Sequence, residues 1–279
     1  MKKISSAQII KTVKEMCISA AHNLPADVLK TLKSSARKEN GRAAKILKLC
    51  LKNAEIASKE MIPLCQDTGT AVIFAEIGEG LHFKGNLEDA LQEGVRQGYR
   101  EGYLRKSTVA DPLFDRVNTQ DNCPAVIHIC FSKGDKLKLT LLLKGAGAEN
   151  TSALKMFNPC SAADEIKNFI IDTAKKASSK ACPPFVIGVG IGGNFEQCAL
   201  LAKKALVRTC GIYNKDKRYA ALEKELLKRV NALNIGPQGL GGKTTALSVN
   251  IEFAPCHMAS LPVAVNMGCH SSRHITRVL

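Results

Sequence analysis

The chain has 279 residues, 45% hydrophobic and 23% charged, enough for one large domain or two small ones around a sizeable core. Its formal charge is +15, but the lysines are spread along the chain and aromatic residues are scarce (Phe 9, Tyr 4, Trp 0), which disfavours a stacking platform for single strands and fits a solvated basic surface or a small anionic substrate. No apolar run of about 18 residues occurs, and charges at Lys11, Lys14 and Glu15 break any leader pattern, so a cytoplasmic protein with no membrane span is expected.

Residues 1–62 read as helical. "SSAQIIKTVKEMCISAA" offers Ser5 or Ser6 as a cap, with Ile9, Ile10, Val13, Met16, Cys17 and Ala20 at helical spacing. "ADVLKTLKSSARKE" and "GRAAKILKLCLKNAEIASKEM" follow the same pattern, and Pro63 closes the set. "AVIFAEIG" reads as a strand, and "NLEDALQEGVRQGYREGYLR" as a helix capped by Asn86. "AVIHICFSKGDKLKLTLLLKG" reads as a hairpin turning at "KGD". "SAADEIKNFIIDTAKKASS" reads as a helix, "PFVIGVGIGG" as a buried strand, and "NFEQCALLAKKALVRT" and "AALEKELLKRVNALN" as helices. "TTALSVNIEFAP" and "LPVAVNMG" end the chain as strands. The fold class expected is α/β (α+β): a helical N-terminal portion packed on mixed β-sheets, in one domain over 1–279 with a mixed part over 63–279.

Two glycine motifs invite a nucleotide reading. "GVGIGG" follows a strand and precedes a helix, yet no second strand ending in an acid comes about 20 residues later. Its glycines are expected to let backbone approach another anion or a cluster, with the helix start at Asn194 helping to hold a carboxylate. "GPQGLGGKTT" has Pro237 where a phosphate loop needs glycine, and a strand pattern follows it.

Eleven cysteines with no CxxC argue against a zinc ribbon or a disulfide framework. Cys17, Cys50, Cys130 and Cys198 sit in apolar patterns and are expected to be buried. Cys65 in "PLCQDTGT", Cys182 in "KACPPFVIG" and Cys269 in "VNMGCHSSR" instead lie near strand ends, where side chains can meet at a sheet edge. Spacing alone leaves open whether they converge. If they do, thiolates suit zinc or an iron–sulfur cluster, and three rather than four leave one iron open as a Lewis acid.

"PLCQDTGTAVIF", "DNCPAVIH", "KGAGAEN", "ACPPFVIGVGIGG", "NIGPQGLGGKTTALSV" and "HMASLPVAVNMGC" occur in the order seen in the iron–sulfur (class I) fumarate hydratases and the related L(+)-tartrate dehydratases. From about residue 60 onward the chain resembles the alpha subunit of the two-subunit forms. The resemblance implies a [4Fe–4S] cluster on Cys65, Cys182 and Cys269, with Gln66, Asp67, Arg105, Gly147 and His257 around the substrate. Each has a plainer alternative. Asp67 could cap its turn, Arg105 could be a surface cation at a helix end, Gly147 could serve only its loop, and His257 could be a satisfied core histidine.

The implied reaction is reversible hydration of fumarate to (S)-malate, with tartrate dehydration as the alternative and a non-catalytic cluster-binding or nucleic-acid-binding protein as the reading from another class. Asp67 or His257 would serve the departing oxygen and Arg105 would hold a carboxylate. No base for the carbon proton is evident, and the chain stops about ten residues after Cys269. In the single-chain relatives a C-terminal domain contributes the remaining active-site groups, so the resemblance implies a separate beta subunit completing the site in a hetero-oligomer.

Overall fold

The computed structural model describes residues 3–279; Met1 and Lys2, part of the stretch weighed as a leader, lie outside them. The elements run β1 (Lys3–Ser5), α1 (Ser6–His22), α2 (Ala26–Lys38), α3 (Gly41–Glu60), β2 (Thr70–Gly78), β3 (His82–Lys84), α4 (Leu87–Glu101), β4 (Val126–Ser132), β5 (Leu137–Lys144), α5 (Ala146–Glu149), β6 (Ala153–Phe157), α6 (Ala163–Ala177), β7 (Phe185–Gly192), α7 (Phe195–Ala205), α8 (Lys217–Asn231), β8 (Ala246–Ala254), β9 (Leu261–Gly268) and β10 (Arg273–Val278). The fold is mixed α/β, and among the described residues no helix is long and apolar enough to cross a membrane. The chain forms two compact units: Met1–Pro25, Asn53–Ala146 and Arg273–Leu279 in the first, Ala26–Lys52 and Gly147–Ser272 in the second.

In the first unit, β1 and β3 pair in parallel, and a four-stranded sheet has the order β10-β5-β2-β4. Helix α1 starts at Ser5, whose hydroxyl accepts the N–H of Gln8 while Gln8 reaches back to the Ser5 N–H, a capping box. It packs on α4, and two glycines of α4 set the spacing. A Cβ at Gly94 would lie 2.6 Å from Val13 Cβ, and one at Gly98 would lie 2.6 Å from Cys17 Cβ. The core beneath joins Val13, Cys17, Leu91, Val95, Ile73, Leu139 and Leu141.

The expected hairpin does not form. Strands β4 and β5 are both present, but β2 lies between them, parallel to β4 and antiparallel to β5. Strand β2 is buried along most of its length and takes the middle of the sheet, which leaves β4 exposed at an edge. The "KGD" turn crosses the end of β2 instead of joining two neighbours. Gly78 donates its N–H to Lys136 O (2.9 Å), and Gly80 donates to Gly134 O (2.9 Å). A Cβ on Gly78 would meet Gly134 O at 2.6 Å, so only glycine permits the crossing.

The second unit carries the sheet β6-β9-β7-β8, in which β7 is parallel to β8 and antiparallel to β9. Its core gathers Ile170, Ala174, Phe185, Ile187, Val189, Leu226, Ile251, Val263 and Met267. The glycines of "GVGIGG" are explained by packing, which corrects the expectation of an anion or cluster cradle. A Cβ at Gly188 would lie 2.1 Å from Ala202 O and one at Gly190 would lie 2.0 Å from Cys198 O, so they admit the backbone of α7. Asn194 is occupied by its own helix, accepting the Gln197 N–H at 2.9 Å and donating to Glu196 Oε1 at 3.0 Å. In "GPQGLGG", Gly236, Gly239, Gly241 and Gly242 all have positive φ, and strand β8 follows the loop.

Among the cysteines expected to be buried, Cys17 and Cys198 are. Cys50 is half-buried, and Cys130 is exposed because β4 is an edge strand. Strands β1, β3, β6 and β10 and the short α5 were not expected from the sequence.

Candidate active site

Register decides what meets at one end of the first sheet. Thr70, at the start of β2, pairs with Lys144 at the end of β5, and Leu143 pairs with Arg273 at the start of β10. Val126, at the start of β4, pairs with Val72. The loop Cys65–Gly69, the segment 105–122 leading into β4, Gly145–Ala146 and Arg273 therefore share that end.

The loop is held at nearly every residue. Leu64 donates its N–H to Ala21 O (2.9 Å), and its carbonyl accepts from Asn53 Nδ2 (2.9 Å). Asp67 Oδ1 accepts the Gly69 N–H (2.9 Å), which closes an Asx turn, and Oδ2 accepts the Ala146 N–H (2.7 Å). The Asp67 carbonyl accepts from Arg273 Nη1 at 2.6 Å. Thr68 Oγ1 donates to Arg105 O (2.8 Å). Buried Tyr99 directs its hydroxyl between Gly69 O (2.7 Å) and Thr68 O (3.1 Å), and Asn122 Nδ2 donates to Gly69 O (3.1 Å). Burial pushes the Tyr99 phenol well above its ordinary range, so it remains a protonated donor.

Within this frame Cys65 is half-buried, its Sγ 3.2 Å from Gln66 Oε1, and Gln66 is exposed. Arg105 is exposed, and it is not on a helix. Helix α4 ends at Glu101, because Tyr103 has φ 52 and breaks the helical run. Asp67 does cap a turn, while its second oxygen reaches across to Ala146.

In the second unit, Cys182 precedes β7 and Cys269 follows β9, and the pairing of Val186 with Gly268 brings those ends together. The His270 N–H donates to Cys182 O (3.2 Å), and Gln238 donates from its backbone N–H (2.8 Å) and Nε2 (3.0 Å) to Pro183 O. Gly147 lies at the same end, 3.3 Å from Lys180 O by the position a Cβ would take. Cys50 lies near enough to both thiols for their charges to act on it. Burial chiefly, with Cys182 and Cys269 adding, pushes its own thiol up to about 11.

His257 is elsewhere. It lies in the exposed connection from β8 to β9, beside Ala254, which pairs with Gly192 at the opposite end of β7 from Cys182. Eight extended residues separate those ends by about 26 Å. His257 Nδ1 accepts the Ala259 N–H at 3.1 Å, so a neutral ring carries its proton on Nε2.

The family described as Fumarate hydratase (Fumerase) matches residues 10–278. The chain belongs to the fumarate hydratase family. It is a hydro-lyase. A Methanocaldococcus jannaschii protein provisionally named L(+)-tartrate dehydratase subunit alpha is 41% identical over 273 residues, covering 95% of each chain. The L(+)-tartrate dehydratase subunit alpha of Escherichia coli K12 is 31% identical over 258 residues, 91% of this chain and 84% of its own, and that of Shigella sonnei matches to the same extent.

For a fumarate hydratase family member the donor chemistry fits an iron–sulfur cluster. All eleven cysteines carry thiols rather than disulfides, and Cys65, Cys182 and Cys269 each sit at a strand end beside hydrogen-bonded backbone. Among the described residues no three His, Cys, Asp or Glu side chains gather to hold a single metal ion. Sequence reasoning missed Tyr99, Asn122 and Arg273, which hold the Cys65 loop. Asn122 lies inside the quoted "DNCPAVIH", but nothing local in the sequence marks Tyr99 or Arg273, whose contacts to the loop span 30 and 206 residues.

Proposed function

We propose that this chain is the alpha subunit of a cytoplasmic iron–sulfur hydro-lyase that interconverts fumarate and (S)-malate, with a separate beta subunit completing the site. The observation that supports this best is the Cys65–Gly69 loop, which presents a thiol, an amide and a carboxylate from one fixed turn in a chain of the fumarate hydratase family.

Cys65, Cys182 and Cys269 would hold a [4Fe–4S] cluster, which when bound supplies Lewis acidity toward the hydroxyl oxygen through an iron without a protein ligand. Arg105, which is exposed, binds a substrate carboxylate bidentately and offsets the charge that grows as the carbon proton leaves. Gln66 orients the substrate with its side-chain amide. Asp67 exchanges the proton at the departing oxygen. Its two oxygens each accept one N–H, which fixes the carboxylate and leaves lone pairs for that proton. Gly147 leaves space for the substrate beside Lys180. His257, in the exposed connection beside the far end of β7 from Cys182, is given no part in this proton transfer. The beta subunit contributes the base for the carbon proton. The relatives' names support that partner, since each is called a subunit alpha.

Tartrate dehydration is the second reading, favoured by the names of the same relatives. The complex purified anaerobically with the chain that binds it decides between them when assayed with fumarate, malate and both tartrate enantiomers. Fumarate–malate interconversion should dominate, and this chain alone should show negligible turnover. Dominant L(+)-tartrate dehydration would transfer the assignment. Salt-dependent RNA binding without iron or turnover would instead favour a non-catalytic protein.

A further inference from the structure

We infer that Arg273 is a positioning residue for the Cys65 loop: strand β10 carries its guanidinium under the turn and holds the segment that presents the thiol. The inference rests on the reading above, in which Cys65 holds the cluster.

Three observations carry it. First, Arg273 is 2% exposed, and its Nε has no hydrogen-bond partner among the described residues. Burying a guanidinium with an unpaired donor is costly, and an apolar side chain would fill the same space without that cost. What an apolar residue cannot do is donate. Second, Arg273 Nη1 donates to Asp67 O at 2.6 Å, a short charge-assisted bond to main chain two residues from Cys65. With Asn53 and Ala21 holding Leu64 on the other side, Cys65 and Gln66 lie between two fixed points. Third, Gly145 makes room for the arrangement. A Cβ there would lie 3.2 Å from Asp67 Oδ2 and 3.4 Å from Arg273 Nη2, tighter than ordinary contact.

The bonds from Tyr99, Asn122 and Thr68 act on residues 68 and 69, downstream of the thiol. The Asp67 carboxylate fixes its own side chain and Gly69. Arg273 is the group that grips the Asp67 peptide itself. At 2% exposure it is covered by its own unit, and its effect is argued to pass through Cys65 and Asp67.

The test compares Arg273→Met and Arg273→Lys with the unsubstituted chain. The first readout is iodoacetamide labelling of Cys65 in the folded, cluster-free full-length chain, followed by peptide mass spectrometry. The second, on the anaerobically reconstituted complex, is the electron paramagnetic resonance of the reduced cluster together with kcat and KM.

Arg273→Met should label Cys65 roughly tenfold faster, as expected for losing a hydrogen bond to a charged donor. It should also shift or broaden the cluster signal and lower kcat at least as much, with KM changed far less. Arg273→Lys, which retains a charged donor without the planar fork, should fall between. Unchanged Cys65 labelling and an unchanged cluster signal in folded Arg273→Met would overturn the inference, as would a lysine variant no better than methionine. Should the methionine variant fail to fold, Arg273→Gln, whose shorter neutral side chain cannot restore the bond to Asp67 O, decides: labelling equal to that of the unsubstituted chain rejects the role, and faster labelling supports it. If the unsubstituted complex binds no cluster, the functional reading fails while the labelling comparison still judges Arg273.

Discussion

At the scale of single residues, the site is a problem of holding a short polar turn still. "CQDTG" exposes backbone that no strand or helix satisfies, and the chain answers with bonds from distant side chains. Tyr99 shows how directly. Its hydroxyl is buried between the carbonyls of Gly69 and Thr68, and burial keeps the phenol protonated. Tyr99→Phe leaves the ring in place and removes that donor. Because Asn122 also reaches Gly69 O, the loss should be about 1 kcal/mol, at the lower end for an unpaired buried carbonyl. A urea melt of the full chain should show a lowered midpoint at constant slope, and an unchanged midpoint would mean the hydroxyl does not secure the turn. The cysteine, amide and carboxylate of this turn were legible in the sequence because they are adjacent. The residues that hold them were not, since those contacts depend on strand register rather than on local pattern.

At the scale of elements, helix periodicity and cap residues were easy to read: Ser5, Asn86 and Asn194 all cap the helices their sequence positions suggest. Strand pairing was harder. Two alternating runs around "KGD" look like a hairpin locally, but the more thoroughly buried β2 takes the place between them, a choice made by burial across the whole sheet. Strand β10 was overlooked because only its first residue, Arg273, is fully buried, so it lacks a clean alternating pattern. The glycines of "GVGIGG" carry the sharpest prediction here. With its Cβ 2.0 Å from Cys198 O, Gly190→Ala forces α7 away from β7. It should destabilise by about 3 kcal/mol or more, at or above the usual range for overpacking. Denaturant unfolding measures it, and a variant of unchanged stability would show that α7 does not need this close approach.

At the scale of the whole molecule, the first unit supplies one of the three strand-end thiols and the second unit supplies two. Spacing alone left open whether the second unit's pair converges, and the antiparallel pairing of β7 with β9 sets the strand ends beside Cys182 and Cys269 next to each other. The same pairing sets His257 at the other end of that sheet, which no reading of "CHMAS" alone could reveal. The central claim is that Cys65, Cys182 and Cys269 together hold one iron–sulfur cluster. It is tested most directly by iron and acid-labile sulfide in the anaerobically reconstituted chain and in its Cys65→Ser, Cys182→Ser and Cys269→Ser variants, with Cys130→Ser, altered on the exposed edge strand, as the control. About four irons per chain are predicted for the unsubstituted protein and the control, and a deficient or absent cluster in each of the three variants; a full complement of iron and sulfide in all three would contradict the account.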